Sequence, residues 1–179
     1  MTYTTYYESL IGPIMLASDG ENIIGLWMKE QKYFANTIKD EVIEKNDLPV
    51  FKKTCRWLDA YFAGKNPNIS ELPLAPEGCD FRKGVLEILC DIPYGEVVTY
   101  GDVAKKMAKK MKRKSMSGQA IGGAVGHNPI SIIIPCHRVV GGNGSLTGFS
   151  GGIDKKLKLL ELEGVDITKF IIPTKGTAI

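Results

Sequence analysis

Ile134-Pro135-Cys136-His137-Arg138-Val139-Val140 is the stretch from which the rest of the chain is read. The thiolate is the reactive form of cysteine, and a thiol loses its proton readily beside an imidazole, positive charge or a helix N-terminus. His137 and Arg138 stand directly beside Cys136. Adjacent side chains on extended backbone point to opposite faces. A Cys136–His137 pair therefore needs a turn or a bridging water, and a third group to orient the ring. Taken alone, the same residues also describe a buried cysteine at a strand end beside a satisfied core histidine. Upstream, Pro129 opens a β-prone run, Ile130-Ser131-Ile132-Ile133-Ile134, which is expected to end at Pro135-Cys136. Before that run, residues 117–126 read as a helix crowded with Gly118, Ala120, Gly122, Gly123 and Ala124. Intrinsic propensity disfavours so many glycines in a helix, so the pattern makes sense if something must approach its backbone closely. Downstream, Gly141-Gly142-Asn143-Gly144 is a turn, and a last helix spans Ile153 to Glu163 with Gly164 as its C-cap.

Further toward the N-terminus, Thr99 and Asp102 form a capping-box pattern for a helix from Tyr100 to about Lys110. A basic loop, Lys109 to Lys114, follows it. Phe81, Val85, Leu86, Ile88 and Leu89 predict a helix over Asp80 to Cys90, and Ile92-Pro93-Tyr94-Gly95 is a turn. The segment from Lys65 to Gly78 holds Pro67, Pro73 and Pro76 and reads as an extended linker. That sets two domains, 1–76 and 77–179. In the first, Tyr3 to Ser9, Ile14 to Ser18 and Ile23 to Met28 predict an antiparallel meander. Residues 31–45 read weakly as a helix. Phe51, Cys55, Leu58 and Phe62 fall at helical spacing before Gly64. The fold expected is α+β: an N-terminal antiparallel β-sheet with helices, then a mostly helical domain with a helix-turn-helix.

With 179 residues and 44% apolar content, the chain can bury cores without disulfide staples. A net charge of +3, from 23 basic and 20 acidic residues, permits nucleic-acid binding but does not establish it. No apolar run is long enough to span a membrane, and the opening residues lack signal-peptide regions, so the expected compartment is the cytoplasm. The four cysteines, Cys55, Cys79, Cys90 and Cys136, form no C-x-x-C pair, and there are two histidines, His127 and His137. A structural zinc site wants about four closely spaced ligands, so no metal and no cofactor are expected. Cys55 and Cys90 read as packing residues; Cys79 has no assigned role.

The ordered set Ile92-Pro93-Tyr94-Gly95, Thr99-Tyr100-Gly101, Gly122-Gly123-Ala124, Asn128-Pro129, Ile134-Pro135-Cys136-His137-Arg138-Val139-Val140 and Ser150-Gly151-Gly152 resembles the O6-alkylguanine-DNA alkyltransferase family, also called methylated-DNA–protein-cysteine methyltransferases. The likeness covers roughly residues 77–164. The first 75 residues share only length and a β-then-helix pattern.

The resemblance implies a single-turnover DNA-repair enzyme. A methyl or larger alkyl group moves from O6-alkylguanine, and in some cases O4-alkylthymine, to Cys136, which stays alkylated. It implies Cys136 as acceptor, His137 as a water-linked base, Glu163 as the carboxylate that orients it, and Asn128 as a brace of the active-site turn. It implies Tyr100 as proton donor to the departing guanine and Lys156 as an assisting charge. Gln119, Gly122, Gly123, Arg138, Phe149 and Ser150 fall among the substrate- and DNA-binding positions. The partner implied is double-stranded DNA, entered through the minor groove by a monomer, with the damaged base flipped out. Extrusion is physically required, because a stacked base cannot present its O6 substituent to a buried thiol.

Two positions depart from the family. Gln119 stands where an arginine often fills the gap left by the flipped base, and Phe149 where a tyrosine is common. The N-terminal Cys and His ligands of the zinc-binding members are absent from the sequence. Two rival readings are a lesion-binding module, which lacks the acceptor cysteine, and a cysteine hydrolase, for which no oxyanion-hole motif stands out.

Overall fold

The computed structural model describes residues 1–173. By contacts the chain divides into two compact units. The first is Met1–Glu77 with Pro129–Ile133; the second is Gly78–Asn128 with Ile134–Ile179. The isoleucine-rich run is thus shared between units, whereas the expected boundary assigned all of it to the second.

In the first unit β1 (Thr2–Ser9), β2 (Gly12–Ser18) and β3 (Ile23–Met28) form the expected antiparallel meander. A short β4 (Val42–Glu44) adds to the edge of β1 in parallel, so the sheet is mixed, in the order β3-β2-β1-β4. Ile14, Leu16, Ile23, Leu26 and Met28 are buried along it. The helix α1 (Pro49–Phe62) begins with proline in its first turn, where a missing N–H costs nothing. It packs on β1 and β2, and Gly64 follows at φ +78°.

Two expectations fail here. Residues 31–45 form turns and β4, not a helix. Glu30, Tyr33 and Ala35 adopt positive φ, which no right-handed helix accommodates. The run Ile130–Ile134 is not a strand beyond a single bridge from Ile130 to Leu26. Ile132 sits at φ 70°, and the Ile133 N–H donates to the Ser131 carbonyl at 2.8 Å, which is a tight γ-turn.

The second unit contains α2 (Asp80–Cys90), α3 (Tyr100–Lys110), α4 (Gly118–Gly126) and α5 (Ile153–Leu162). α3 and α4, joined by residues 111–117, pack on each other and on α2, the arrangement expected of a helix-turn-helix. The capping box is formed: the Asp102 N–H donates to Thr99 Oγ1 at 3.1 Å, and the Thr99 N–H to Asp102 Oδ2 at 2.9 Å. A two-stranded parallel pair, β5 (Val98–Thr99) and β6 (Val139–Val140), sets the residues after Cys136 beside the start of α3. Among the described residues no helix is long and apolar enough to cross a membrane.

Candidate active site

The backbone around Cys136 is a turn, not a strand end. Pro135 lies at φ −82° and ψ 65°, and the Cys136 N–H donates to the Ile134 carbonyl at 2.8 Å. Cys136–Arg138 then form one 3₁₀ turn. The same Ile134 carbonyl accepts a buried 2.8 Å hydrogen bond from the Asn128 side-chain amide. Asn128 therefore ties the end of α4 to the turn that carries the cysteine. Cys136 and His137 are both buried.

From the other side comes the end of α5. Glu163, the C-cap of that helix, is buried, and its Oε1 accepts from His137 Nε2 at 2.6 Å. Arg138 closes a fork on the same carboxylate, with Nε to Oε2 at 2.9 Å and Nη2 to Oε1 at 3.0 Å. The Gly95 N–H adds a fourth donor to Oε2 at 3.2 Å. Burial pushes the Glu163 carboxyl up, but hydrogen bonds and charge from His137 and Arg138 more than offset it and bring its pKa to about 2. Burial also pulls the His137 pKa below the ordinary imidazole value, in spite of Glu163. The imidazole is then neutral at pH 7. An ionised carboxylate only accepts, so the ring proton is assigned to Nε2 and Nδ1 is the acceptor nitrogen.

Lys156 lies on α5 and is fully buried; its Nζ donates to the carbonyls of Val139 at 2.5 Å and Thr147 at 3.1 Å. Burial lowers its pKa to about 8, with Cys136 acting in the opposite sense. Tyr100 opens α3 and donates its hydroxyl to the same Thr147 carbonyl at 3.0 Å. Burial, and next the charge of Cys136, raise the pKa of that phenol. Tyr100 and Lys156 are thus both coupled electrostatically to Cys136 and both anchored to the loop 141–152. Gly148 in that loop sits at φ +78°, and a Cβ there would lie 2.2 Å from the Tyr100 hydroxyl. Only glycine fits.

The fold therefore gathers Cys136, His137, Glu163, Asn128, Tyr100 and Lys156. Gln119 and Gly123 are exposed on α4 with Gly122 half-buried beside them, and Phe149 is buried in the loop with Ser150 half-buried. Arg138, expected among residues that meet substrate or DNA, is 6% exposed, and its fork is engaged by Glu163 while Nη1 donates to the Ile92 carbonyl at 2.6 Å. Sequence reading missed Gly95, Gly148 and the carbonyls of Ile92, Val139 and Thr147. The two glycines carried a signal in their turn patterns; backbone carbonyls carry none. Among the described residues no group of three or more His, Cys, Asp or Glu could hold a metal ion.

Two sequence profiles match the chain. Residues 2–76 match the ribonuclease-like domain of 6-O-methylguanine DNA methyltransferase, and residues 80–165 match its DNA binding domain. A methylated-DNA–protein-cysteine methyltransferase of Methanosarcina acetivorans is 43% identical, over 90% of this chain and 98% of its own. One from Haemophilus influenzae is 40% identical, over 91% of this chain and 87% of its own. The chain belongs to the 6-O-methylguanine DNA methyltransferase family. A crystal structure of Mycobacterium tuberculosis OGT in complex with DNA superposes with a TM-score of 0.76 at 38% identity, covering 94% of each chain. Membership in the family gives the buried Cys136–His137–Glu163 arrangement a chemical setting, since the relatives are named for transfer to a cysteine.

Proposed function

We propose that this protein repairs double-stranded DNA by moving an alkyl group from O6 of guanine to Cys136 in a single, irreversible turnover. The observation that carries the reading is the 2.6 Å contact of His137 Nε2 with an ionised Glu163 directly beside the buried cysteine. That contact fixes the tautomer in which Nδ1 takes the thiol proton, through a water in our reading. The thiolate attacks the alkyl carbon; the S–C bond forms as the O6–C bond breaks. Guanine keeps the bonding electron pair and receives a proton from Tyr100, whose hydroxyl exchanges the Thr147 carbonyl for the base. Lys156 supplies positive charge that favours the thiolate. Asn128 holds the turn. A thioether does not hydrolyse, so the protein is consumed.

The DNA-facing surface in this reading is α4, entering the minor groove. A Cβ added at Gly118, Gly122 or Gly123 would meet nothing within 4 Å. Internal packing does not ask for glycine at these positions, although glycine weakens a helix by roughly 0.5–1 kcal/mol relative to alanine. A partner that comes close to the backbone explains the cost. Gln119, exposed on the same helix, would support the space left by the extruded base, and Ser150 and Phe149 would border the pocket. The protein acts as a monomer in the cytoplasm, with residues 1–76 and 77–179 as its two domains.

The test is intact mass after incubation with duplex DNA carrying O6-methylguanine. One methyl in place of one proton, on the peptide that holds Cys136, is the expected result; an unchanged mass overturns the reading, since a lesion-binding module gains nothing. The α4 surface is checked by Gly123→Leu. Stability should hold or rise by a few tenths of a kcal/mol. Duplex affinity should fall about tenfold or more, the equivalent of ~1.4 kcal/mol, and reaction with O6-benzylguanine in solution should hardly change. Equal losses on both substrates would remove α4 from the DNA interface.

A further inference from the structure

Arg138 lies outside the thiol–imidazole–carboxylate series, yet it makes more contacts with Glu163 than His137 does. A carboxylate offers about four lone-pair positions. In Glu163 these are taken by His137 Nε2 and Arg138 Nη2 on Oε1, and by Arg138 Nε and the Gly95 N–H on Oε2. The carboxylate cannot turn without breaking the fork. The third arm of the guanidinium is fixed by the Ile92 carbonyl, and its carbon lies 5.7 Å from the centre of the Tyr94 ring. The turn 92–95 is thereby fastened to both partners. Bidentate guanidinium–carboxylate pairs set orientation as well as energy, and a lysine cannot reproduce the fork.

We propose, building on the alkyl-transfer reading, that Arg138 is a positioning residue of the thiol-activating relay: its fork holds the Glu163 carboxylate in the orientation that receives the His137 Nε2 proton, and by sharing that carboxylate's charge it keeps the imidazole neutral. A histidine beside an unshared buried carboxylate tends to hold a second proton and loses its capacity as a base. Arg138 prevents this. The groups that face the relay are Glu163 and Lys156 from α5, Cys136 on the same turn, Tyr94 from the 92–95 turn and Cys90 at the end of α2. Arg138 itself and Lys156 oppose protonation of His137, and Glu163 favours it.

The test uses the whole protein labelled with ¹⁵N-histidine, which reports on two residues, His127 and His137. In the wild type His137 should show the Nε2–H tautomer and stay neutral well below the pH at which an ordinary imidazole titrates. In Arg138→Met its titration midpoint should rise by about one pH unit, a tenfold gain in proton affinity. In Arg138→Lys, which keeps the charge but not the fork, the midpoint should move less and the Nε2–H signals should broaden as the ring is released. A purely structural role would lower stability and leave midpoint and tautomer in place. If Arg138→Met does not fold, Arg138→Lys decides the matter: an unchanged His137 spectrum in a folded variant overturns the proposal. No alkylated DNA enters the NMR measurement, so failure of alkyl transfer and failure of this proposal are separate outcomes.

Discussion

Cys136→Ala will show no transfer at all: incubated with O6-methylguanine DNA, the variant keeps its mass while the wild type gains one methyl. The three other cysteines cannot take over. Burial pushes the Cys90 thiol up to about 11 and also raises that of Cys55, so both stay protonated at neutral pH. Cys79 is exposed at the start of α2 and serves as an internal control, since indiscriminate alkylation would mark it first. The substitution removes one buried sulfur without disturbing the hydrogen bonds that build the turn. Cys136 N–H to Ile134, Asn128 to Ile134 and the Glu163 contacts use no cysteine side-chain atom. Fold and duplex affinity should survive. Peptide mapping supplies the measurement. A methyl found on any residue of the Ala variant, or on a wild-type cysteine other than Cys136, would end the assignment.

Local chemistry made much of this structure legible before any coordinates. The Thr99–Asp102 capping box, the stops at Gly64 and Gly164 and the meander of residues 2–28 depend on neighbours in sequence, and they formed as read. What failed depends on partners far away. Ile130–Ile134 has the composition of a strand, but Ile132 at φ 70° turns the chain within the short piece, Pro129–Ile133, that belongs to the first unit. The weak helical reading of 31–45 met left-handed residues at Tyr33 and Ala35, with Glu30 just before them, that propensity does not reveal. The β4 edge is three residues long and parallel, too short to leave a pattern.

The site divides in the same way. The identities of Cys136, His137, Asn128 and Tyr100 came from ordered motifs and that of Glu163 from the family resemblance alone, and the fold brings these residues together. Arg138 was expected among the substrate- and DNA-binding positions from the family resemblance, and its partner in the fold is not its neighbour in sequence. The fold brings Glu163 to it across 25 positions of sequence, and a buried acid at that separation leaves no trace in the local pattern. Of the two departures from the family, Gln119 stands exposed on α4 and Phe149 is buried in the loop 141–152, while the His137–Glu163–Arg138 contacts are formed in full.

Glu163→Gln should be the most disruptive change that keeps the shape of a side chain. Four donors converge on two carboxylate oxygens. An amide offers one oxygen and turns an NH₂ toward the remaining donors, leaving Arg138 a buried charge with a neutral partner, a situation that typically costs 3–5 kcal/mol. Linkage gives a second route to the magnitude. The Glu163 pKa is lowered from 4.5 to about 2 in the folded state. A depressed carboxylate contributes stability that is complete above its unfolded pKa and fades as pH falls through the folded one, here on the order of 3 kcal/mol. His137 acts in the same direction: its pKa is also lowered on folding, so its contribution is present above the ordinary imidazole value and is lost in acid. Lys156, at about 8 when folded, is charged below that pH in both proteins, and its cost disappears only toward alkaline pH, so it cancels in the comparison. Urea unfolding from pH 7 down to pH 3 should therefore show a gap of about 3 kcal/mol at neutrality that narrows as the wild type loses its carboxylate. Transfer at pH 7 should slow on the order of 10²-fold, the lower range for a misplaced general base, because the amide neither fixes the Nε2–H tautomer nor balances an imidazolium. Parallel pH–stability curves for the two proteins would mean that the Glu163 charge is not what holds His137 and Arg138 together. An unchanged transfer rate in a stable Gln variant would mean that the cysteine loses its proton by another path, with Lys156 a remaining charge coupled to it.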